Sequence, residues 1–389
     1  MTGEAETDGE ARAWGWVSHL RSGGTTPWSR WADPAPASEQ AGRYLPGAQQ
    51  LELLRRLNQQ RVPTPALAGR VLAASAPGRG RPDLGLVGVL ARTRFGPAPV
   101  DPQDLPADEL VRVATALIAE DVVASGEPPA PRQVRRFRRR YRLLGDPELA
   151  RPFREQLTAD GRPPGGSGAT VVVLGTDVER MLVHAWTARC FGTEGVRPWP
   201  EWVATAARGG ALPPRIDLAE VARTWAQRVG AGHTHVVLDD PRRGARLAGL
   251  RTTPGATRDL CADAIELARR TGPVVGTLVP PERRAQLLWH RLRPLLSGFE
   301  GATLQVPERH RPWLAERGAD LRQRLARGDY AVHGDLPEVS VAAPTADRAG
   351  RPGHPVTVAA PDDERVLALA MQVLLGPPIG ATDAAGEGE

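Results

Sequence analysis

The chain has 389 residues and a formal net charge of +5, and all 50 of its lysine-or-arginine residues are arginine. The lack of lysine excludes a Schiff base, a phosphate-loop lysine and a lysine general base, because a guanidinium group does not replace an ammonium group in these roles. No apolar run approaches the roughly 20 residues that span a bilayer, which predicts no membrane contact. The two cysteines, Cys190 and Cys261, lack CxxC spacing, and the polar start is unlike a secretory leader, so we expect a cytoplasmic protein.

The first third of the chain is predicted to be mainly helical. Residues 1–11 are polar and acidic, and we expect them to be disordered, whereas 12–125 carries apolar residues at helical spacing. Three amphipathic helices are predicted there, at residues 46–60, 64–75 and 106–124, and Thr64 is expected to cap the second. The apolar stretch 85–93 fits a strand or a short helix equally well, since periodicity does not separate the two over so few residues.

A glycine-rich segment follows the first predicted helix. It contains Ser22, Gly23, Gly24, Thr25 and Thr26, which is the composition of a loop that cradles phosphate. Such loops follow a buried strand and open a helix, so that their backbone N–H groups converge on the anion. Here a helix precedes the segment and a proline follows it, which favours a plain turn. Binding of a cofactor phosphate is the alternative.

Residues 126–167 form a connecting segment rich in proline and arginine. Its run Arg135–Arg142 is interleaved with Phe137 and Tyr141, a pattern that can bind nucleic acid through phosphate contacts and base stacking. A solvated helix whose aromatic side chains share one stripe and pack on the core explains the same pattern. An acidic protein partner or a small anionic ligand for this basic face is a third interpretation.

Residues 168–340 are predicted to form an α/β region. Two short, β-branched apolar runs, 171–174 and 236–238, are typical of strands buried on both faces of a parallel sheet. The first run ends in the turn 175–177 and leads into a helix. Ligands usually bind at such strand-to-helix turns, along the carboxyl edge of the sheet.

The candidate site residues cluster around these strand ends. Asp177 and Asp239 follow the two predicted strands and could act in acid/base chemistry, although turn and capping roles explain them equally. His184 lies one turn beyond Arg180 on the intervening helix and faces either a ligand or the core. Thr176 and Arg180 are candidates for contact with a cofactor.

A metal site is not predicted. His233 and His235 alternate on one strand and share a face, as two metal ligands would. No third ligand is visible at nearby spacing, so hydrogen-bonded strand residues are the alternative that we adopt.

The last part of the chain contains three predicted segments. Residues 273–280 are expected to be a strand or an extended segment, and 341–357 are expected to be a linker. Residues 358–389 are predicted to form an amphipathic helix that begins with acidic residues, followed by an acidic tail.

A set of positions between about residues 168 and 339 follows the order of a known pattern. These positions are Leu218, Val221, Arg223, Trp225, Ala226, His235, Val236, Val237, Pro307, Glu308, His310, Trp313, Tyr330, Gly334, Asp335 and Leu336. Their order resembles that of the PAPS-dependent sulfotransferases, in particular their actinobacterial branch, and the resemblance depends on shared order rather than on a single motif. The resemblance implies a three-layer, P-loop-like parallel sheet flanked by helices, here joined to a mainly helical N-terminal region.

The sequence departs from the family at the residues that bind PAPS. The family holds the 5′-phosphosulfate with a lysine-bearing loop after the first strand, and the 3′-phosphate with an arginine and a serine. In this chain Thr176 stands at the arginine position, and Val183 or His184 stands at the serine position. Burying a phosphate without these cations is strongly unfavourable.

The sequence therefore predicts a sulfotransferase-like protein without PAPS-dependent catalysis, with no cofactor. We expect it to act as a binding or accessory protein for another protein or a small anionic ligand. One alternative is an active sulfotransferase on a glycan or small molecule that binds PAPS through arginines such as Arg21 or Arg180. The other alternative is nucleic-acid binding through Arg135–Arg142.

Overall fold

The computed structural model describes ten stretches of the chain. They are residues 2–35, 44–74, 83–89, 97–126, 141–162, 165, 169–192, 195–255, 258–335 and 356–379, and for 2–7 the backbone only. The chain divides into two compact units, each described here by itself. The first unit contains Met1–Glu127, Glu266–Leu295 and Asp362–Glu389, and the second contains Pro128–Ile265 and Leu296–Pro361.

The first unit is mainly helical in the part that the structure describes. The helices that lie in it wholly or for the most part are α1 (Thr2–Arg21), α2 (Ala48–Gln60), α3 (Pro65–Ala73), α4 (Ala107–Ala124), α10 (Ala262–Leu278), α11 (Pro281–Leu287), α12 (Arg293–Leu296) and α14 (Asp363–Leu375). Helix α2 contacts α1, α3 and α4, and α14 packs along α4. Leucine side chains of α2 are fully buried, and Glu52 and Arg55 are buried too, so this helix is covered on more than the one apolar face that its sequence predicts.

The sequence predicted several of these helices correctly. The predicted Thr64 cap of α3 accepts a hydrogen bond from the backbone N–H of Leu67, and the final helix begins after an Asp362 cap. In the ambiguous stretch 85–93, Leu86 forms an isolated parallel bridge with Val100, and 90–93 lie outside the described residues.

Residues 2–11, which the sequence predicts to be disordered, belong to helix α1 in the structure, since this helix begins at Thr2. The sequence of its first turns includes several alanines and glutamates, which have high helix propensity. The later turns bury Trp14, Trp16 and Leu20. The buried end therefore anchors a helix that its polar residues can extend backwards.

Within its described residues, the second unit contains six strands in two parallel sheets. They are β1 (Tyr141–Gly145), β2 (Thr170–Gly175), β3 (Thr234–Leu238), β4 (Thr303–Leu304), β5 (Ala331–His333) and β6 (Thr357–Val358). The larger sheet has the order β1-β2-β3-β5, and the smaller one pairs β4 with β6. All pairs are parallel, so the carboxyl ends of the four strands share one edge.

Helices flank the larger sheet. The second unit contributes α5 (Pro147–Ala159), α6 (Val178–Gly192), α7 (Trp199–Gly209), α8 (Leu218–Val229), α9 (Pro241–Leu247) and α13 (Arg311–Ala326). Leu143, Val172 and Val237 pack against α5 and α9 in one apolar cluster that includes Phe153. Helix α8 contacts β1, β2 and β3. The predicted α/β fold with a parallel sheet flanked by helices is thereby confirmed.

Two sequence predictions about the extent of the sheet were wrong. The sheet begins with β1, inside the predicted connecting segment 126–167, so Tyr141 lies on a strand rather than on a helical stripe. The predicted strand at 273–280 is the last part of helix α10 and includes Pro273. Short apolar runs fit both structures, and in α10 the helical spacing continues from Ile265 to a fully buried Val275.

Candidate functional site

A cluster of polar side chains lies along the carboxyl edge of the larger sheet. Asp146 follows β1, Asp177 lies two residues after β2, and Asp239 follows β3 directly. Backbone hydrogen bonds extend the ladder into these turns, from the N–H of Asp146 to the carbonyl of Leu174 (2.8 Å) and from the N–H of Asp239 to that of Gly175 (3.0 Å). The parallel topology therefore brings three sequence-distant aspartates to one edge.

A glycine allows β1 to turn at this edge. Gly145 has a φ of 86°, which lies in the left-handed region. A Cβ atom at this position would stand 2.1 Å from the carbonyl oxygen of Leu174. Only glycine fits this close approach, and the turn places the next residue, Asp146, in the interior at 0% exposure.

Asp146 uses both carboxylate oxygens within the protein. Its Oδ1 accepts hydrogen bonds from the backbone N–H groups of Glu148 (2.8 Å) and Leu149 (3.0 Å), so the side chain caps helix α5. Its Oδ2 lies 2.7 Å from Nδ1 of His184. Asp146 thus joins the start of one helix to the middle of another, α6.

His184 lies between two carboxylates. Its ring is 3% exposed, and its second nitrogen, Nε2, lies 3.0 Å from Oδ1 of Asp259. Burial alone lowers the pKa of His184, but the hydrogen bonds and charges of Asp146 and Asp259 outweigh this effect and raise the pKa from 6.5 to about 10. At neutral pH the ring is an imidazolium that donates both N–H groups to carboxylates.

Asp259 extends the network to the surface. Its Oδ2 accepts a hydrogen bond from Nε of Arg180 at 3.0 Å. Burial raises the pKa of Asp259, but its hydrogen bond to His184 and the charges of His184 and Arg180 lower it from 3.8 to about 2. The two cations and two aspartates therefore form a continuous network of alternating charge, hereafter the Asp–His–Asp–Arg network: Asp146, His184, Asp259 and Arg180.

The two aspartates that the sequence did predict, Asp177 and Asp239, lie outside this network. Oδ1 of Asp177 accepts a hydrogen bond from the backbone N–H of Arg180 (2.8 Å), so Asp177 caps the first turn of α6, and burial raises its pKa. Asp239 has a φ of 50°, the one positive value among the described residues other than glycine. Its neighbour Asp240 caps α9 through the N–H of Arg243 (2.8 Å). Strained backbone often marks functional positions, which keeps Asp239 as a candidate.

A cavity of about 240 Å³ opens beside the network, hereafter the edge cavity. Four carboxylate residues and two cationic ones contribute to its wall: Glu148, Asp239, Asp240, Asp259, Arg180 and His184. Apolar side chains such as Phe153 and Val237 supply the rest of the wall. Both of these cations already contact aspartates. The edge cavity is therefore unsuited to a strongly anionic ligand.

The chemistry of the Asp–His–Asp–Arg network favours positioning over proton transfer. A general base must be unprotonated near the working pH so that it can accept a proton, whereas the pKa of His184 is raised to about 10.

The remaining candidates have structural surroundings. Thr176 is buried at 3% exposure, directly before the Asp177 cap. No group of three or more metal-ligating side chains was found within the described stretches of the chain. Nδ1 of His235 lies 3.3 Å from Nε2 of His333 on the neighbouring strand, and the two rings form a hydrogen-bonded pair.

The predicted phosphate-type segment, residues 22–26, lies in the first unit. It continues the C-terminal end of helix α1, and its N–H groups donate inward: Ser22 to Ser18, Gly23 to Leu20, Gly24 to His19 (all carbonyl oxygens) and Thr26 to Nε2 of His19. N–H groups used in this way do not converge on an anion. The plain turn, which the sequence favoured, is the observed structure.

The arginine run that suggested nucleic-acid binding lies mostly outside the described residues, which resume at Tyr141. Arg142 is described, and its guanidinium carbon lies 4.5 Å from the centre of the Trp225 ring. This cation–π contact orients Arg142 toward helix α8.

Sequence reasoning missed two members of the network, Asp146 and Asp259. A signal for Asp146 was present, since Gly-Asp-Pro at 145–147 resembles Asp-Asp-Pro at 239–241, and in both an aspartate caps a helix whose first residue is proline. Asp259 lies 75 residues from His184 in a loop without a local pattern.

Comparisons with known proteins returned no match among family models, curated proteins or solved structures. Across the described part of the chain, no helix has the length and apolar character needed to cross a membrane.

Proposed function

We propose that this protein is a sulfotransferase-like binding or accessory protein that does not transfer sulfate from PAPS. The observation that carries the proposal is the turn after the first strand of the larger sheet. There the chain has Asp146, paired with the imidazolium of His184, where a P-loop-like phosphate site needs a cation and free backbone N–H groups.

Capping uses the N–H groups that a phosphate would need. At the start of helix α5, Pro147 has no N–H group, and those of Glu148 and Leu149 donate to Asp146. The helix start is therefore already occupied by a carboxylate of the same chain. A three-layer, P-loop-like relationship would in this case concern the scaffold and not the phosphate site.

The charges along the edge support the same conclusion. Arg180, the arginine that an active sulfotransferase would have to use here, is already paired with Asp259 at 3.0 Å. PAPS brings several negative charges, and in the edge cavity it would meet the carboxylates of Asp239 and Asp240 at close range. Like-charge contacts of this kind oppose binding.

The proposed role is performed by the scaffold and the edge cavity together. The Asp–His–Asp–Arg network joins the turn after β1 to helix α6 and to Asp259, and we expect it to keep the wall of the cavity in one arrangement. We propose a cytoplasmic setting, which the two buried thiols, Cys190 and Cys261, fit. No cofactor is part of the proposal.

The test is release of 3′,5′-adenosine bisphosphate from PAPS by the purified full-length chain, with phenolic, alcohol and glycan acceptors and an active sulfotransferase as the positive control. We expect no release above the protein-free rate. The Arg180→Gln variant serves as the comparison, with Arg208→Gln, an exposed arginine of helix α7, as the matched control. Release by the wild type that is lost in Arg180→Gln but kept in Arg208→Gln would establish the active-enzyme alternative instead.

A further inference from the structure

Helix α5 has a cavity on each of two faces. Residues Glu148 and Phe153 border the edge cavity, whereas Pro147, Ala150 and Arg154 border a second cavity of about 420 Å³. The latter three residues have i, i+3, i+7 spacing and so share one helical face. The second cavity, hereafter the arginine cavity, is large enough for a small organic molecule, since such sites usually measure about 300–1,000 Å³.

Two arginines of separate elements line the arginine cavity. Arg154 comes from α5, and Arg215 comes from the loop before α8 and is exposed. The Arg154 guanidinium donates only to carbonyl oxygens of its own helix, those of Ala150 (3.3 Å) and Pro147 (3.4 Å). Burial lowers the pKa of Arg154, and the charge of Arg215 lowers it further. The two cations therefore face one space and repel each other.

Nearby carboxylates compensate the two arginines only in part. The charges of Glu155 and Glu148 attract Arg154, each less strongly than Arg215 repels it, and Glu148 borders the edge cavity. Glu220, on the wall of the arginine cavity, accepts two hydrogen bonds from Arg223, at 2.6 Å and 3.0 Å. Glu155, which follows Arg154, pairs with Arg151 at 3.0 Å. In the part of the chain that the structure describes, these carboxylates form their hydrogen bonds and ion pairs with other groups, so the charges of Arg154 and Arg215 are incompletely compensated.

The rest of the wall is apolar. Leu143, Leu144 and Val221 contribute aliphatic surface from β1 and α8, and Trp225 contributes its indole. The guanidinium carbons of Arg142 and Arg228 lie 4.5 Å and 5.2 Å from the Trp225 ring centre, which makes the potential around that wall more positive. The arginine cavity thus combines an apolar wall with two cationic side chains.

We propose that the arginine cavity binds a small organic anion, with its carboxylate or phosphate between Arg154 and Arg215 and its apolar part against Leu143, Leu144 and Val221. Planar guanidinium groups match both anions in a two-point geometry. A bound anion relieves the repulsion between the two arginines. The site is distinct from the edge cavity, and the inference does not depend on the relationship to sulfotransferases.

Isothermal titration calorimetry of the full chain with four probes tests the proposal. Benzoate carries a carboxylate on a phenyl ring, and phenyl phosphate carries a phosphate on the same ring. Benzylamine combines the ring with a positive charge, and inorganic phosphate has no ring. We expect benzoate or phenyl phosphate to bind at least about tenfold more tightly than benzylamine and inorganic phosphate, because a charge-assisted hydrogen bond is worth about one decade or more. The tighter of the two anions identifies the head group.

Arginine variants identify the cavity. Arg215→Gln and Arg154→Gln should each lower the affinity for the more tightly bound anion about tenfold. Arg208→Gln, the control on α7, should leave this affinity unchanged. Thermal unfolding midpoints confirm that each variant is folded. Equal binding of benzoate, phenyl phosphate and benzylamine, no detectable binding of any anion, or unchanged affinity in both folded variants would each overturn the proposal.

The same variants separate this inference from the proposed function. PAPS is itself an organic anion, so PAPS binding that Arg154→Gln and Arg215→Gln abolish reports the arginine cavity alone. Release of adenosine bisphosphate that persists in both variants would count against the proposed function. It would not bear on the arginine cavity, which the calorimetric titrations with the four probes test separately.

Discussion

The two cavities beside helix α5 differ in how their charges are compensated. At the edge cavity, His184 and Arg180 alternate with Asp146 and Asp259 at distances of 2.7–3.0 Å. At the arginine cavity, Arg154 and Arg215 stand without such partners among the lining residues described. One helix therefore separates a site where the protein satisfies its own charges from a site where it does not.

This difference separates structural from ligand-binding use of charge. A buried ion pair with good geometry holds elements together, and removing one partner leaves an isolated charge that is costly to bury. Two like charges in one cavity repel each other, and the proposed anion would relieve that repulsion. Stability measurements on the two sets of residues therefore test the comparison directly.

The largest effect is expected at Asp146. Asp146→Asn keeps an oxygen to cap α5 but leaves the His184 charge with one fewer carboxylate, which should cost about 4 kcal/mol in the free energy of unfolding. Asp146→Ala also removes the cap and should cost about 1 kcal/mol more. Denaturant titration followed by tryptophan fluorescence measures both values.

Asp240→Ala is the control for Asp146, since Asp240 also caps a helix before a proline, and it acts on the nearby His333 through its charge alone. It should cost about 1 kcal/mol. A loss of less than about 1 kcal/mol in Asp146→Asn would show that the ion pair with His184 does not stabilise the fold.

An intermediate effect is expected when pH changes the charge of His184. Because its pKa is raised from 6.5 to about 10, its stabilising contribution is complete below pH 6.5 and decreases as pH rises toward 10. The pKa of Asp259 is lowered from 3.8 to about 2, so its contribution is present above pH 3.8 and is lost as pH falls toward 2. Between pH 3.8 and pH 6.5 both contributions are complete, and there the free energy of unfolding of the wild type should exceed that of His184→Gln by about 3 kcal/mol.

Two measurements check this pH dependence. Unfolding free energies of the wild type and His184→Gln, determined from pH 3 to pH 10, should converge at the alkaline end. Imidazole ¹⁵N chemical shifts should show His184 still protonated at pH 8. A His184 titration near its ordinary pKa of 6.5 would contradict the Asp–His–Asp–Arg network.

The smallest effect is expected at the arginine cavity. Arg154→Gln and Arg215→Gln remove one of two repelling charges, so the free energy of unfolding should stay within about 0.5 kcal/mol of wild type or rise slightly. The same denaturant titration provides the measurement, with Arg208→Gln as the control. A loss above about 1 kcal/mol in either variant would mean that these arginines stabilise the fold.

The sequence predicted much of the scaffold because its signals are local. The strands β2 and β3 follow from β-branched apolar runs, and the caps at Thr64 and Asp362 follow from residue type and position. Strand β1 was missed because the arginines around its two leucines resemble a helical pattern. The residues at 273–280 were mistaken for a strand because a short apolar run does not reveal its period.

The site was only partly predictable. Reasoning from the strand ends drew attention to Asp177, His184 and Asp239, which the structure places at or beside the carboxyl edge of the sheet, but it did not reveal what His184 contacts. Its two partners lie 38 and 75 residues away in the chain. Pairing across such separations depends on strand order and on the Gly145 turn, which no local pattern specifies.

By itself, the sequence determined that the chemistry of this protein uses no lysine and that short buried strands end in polar turns. Only the tertiary structure decided which charges are compensated, because the energy of a charge depends on the groups within a few ångströms of it and on its burial. His184 is an imidazolium held between two aspartates, whereas Arg154 and Arg215 face an open cavity. Residue types alone do not distinguish these cases, since both are cations near acidic neighbours in the chain.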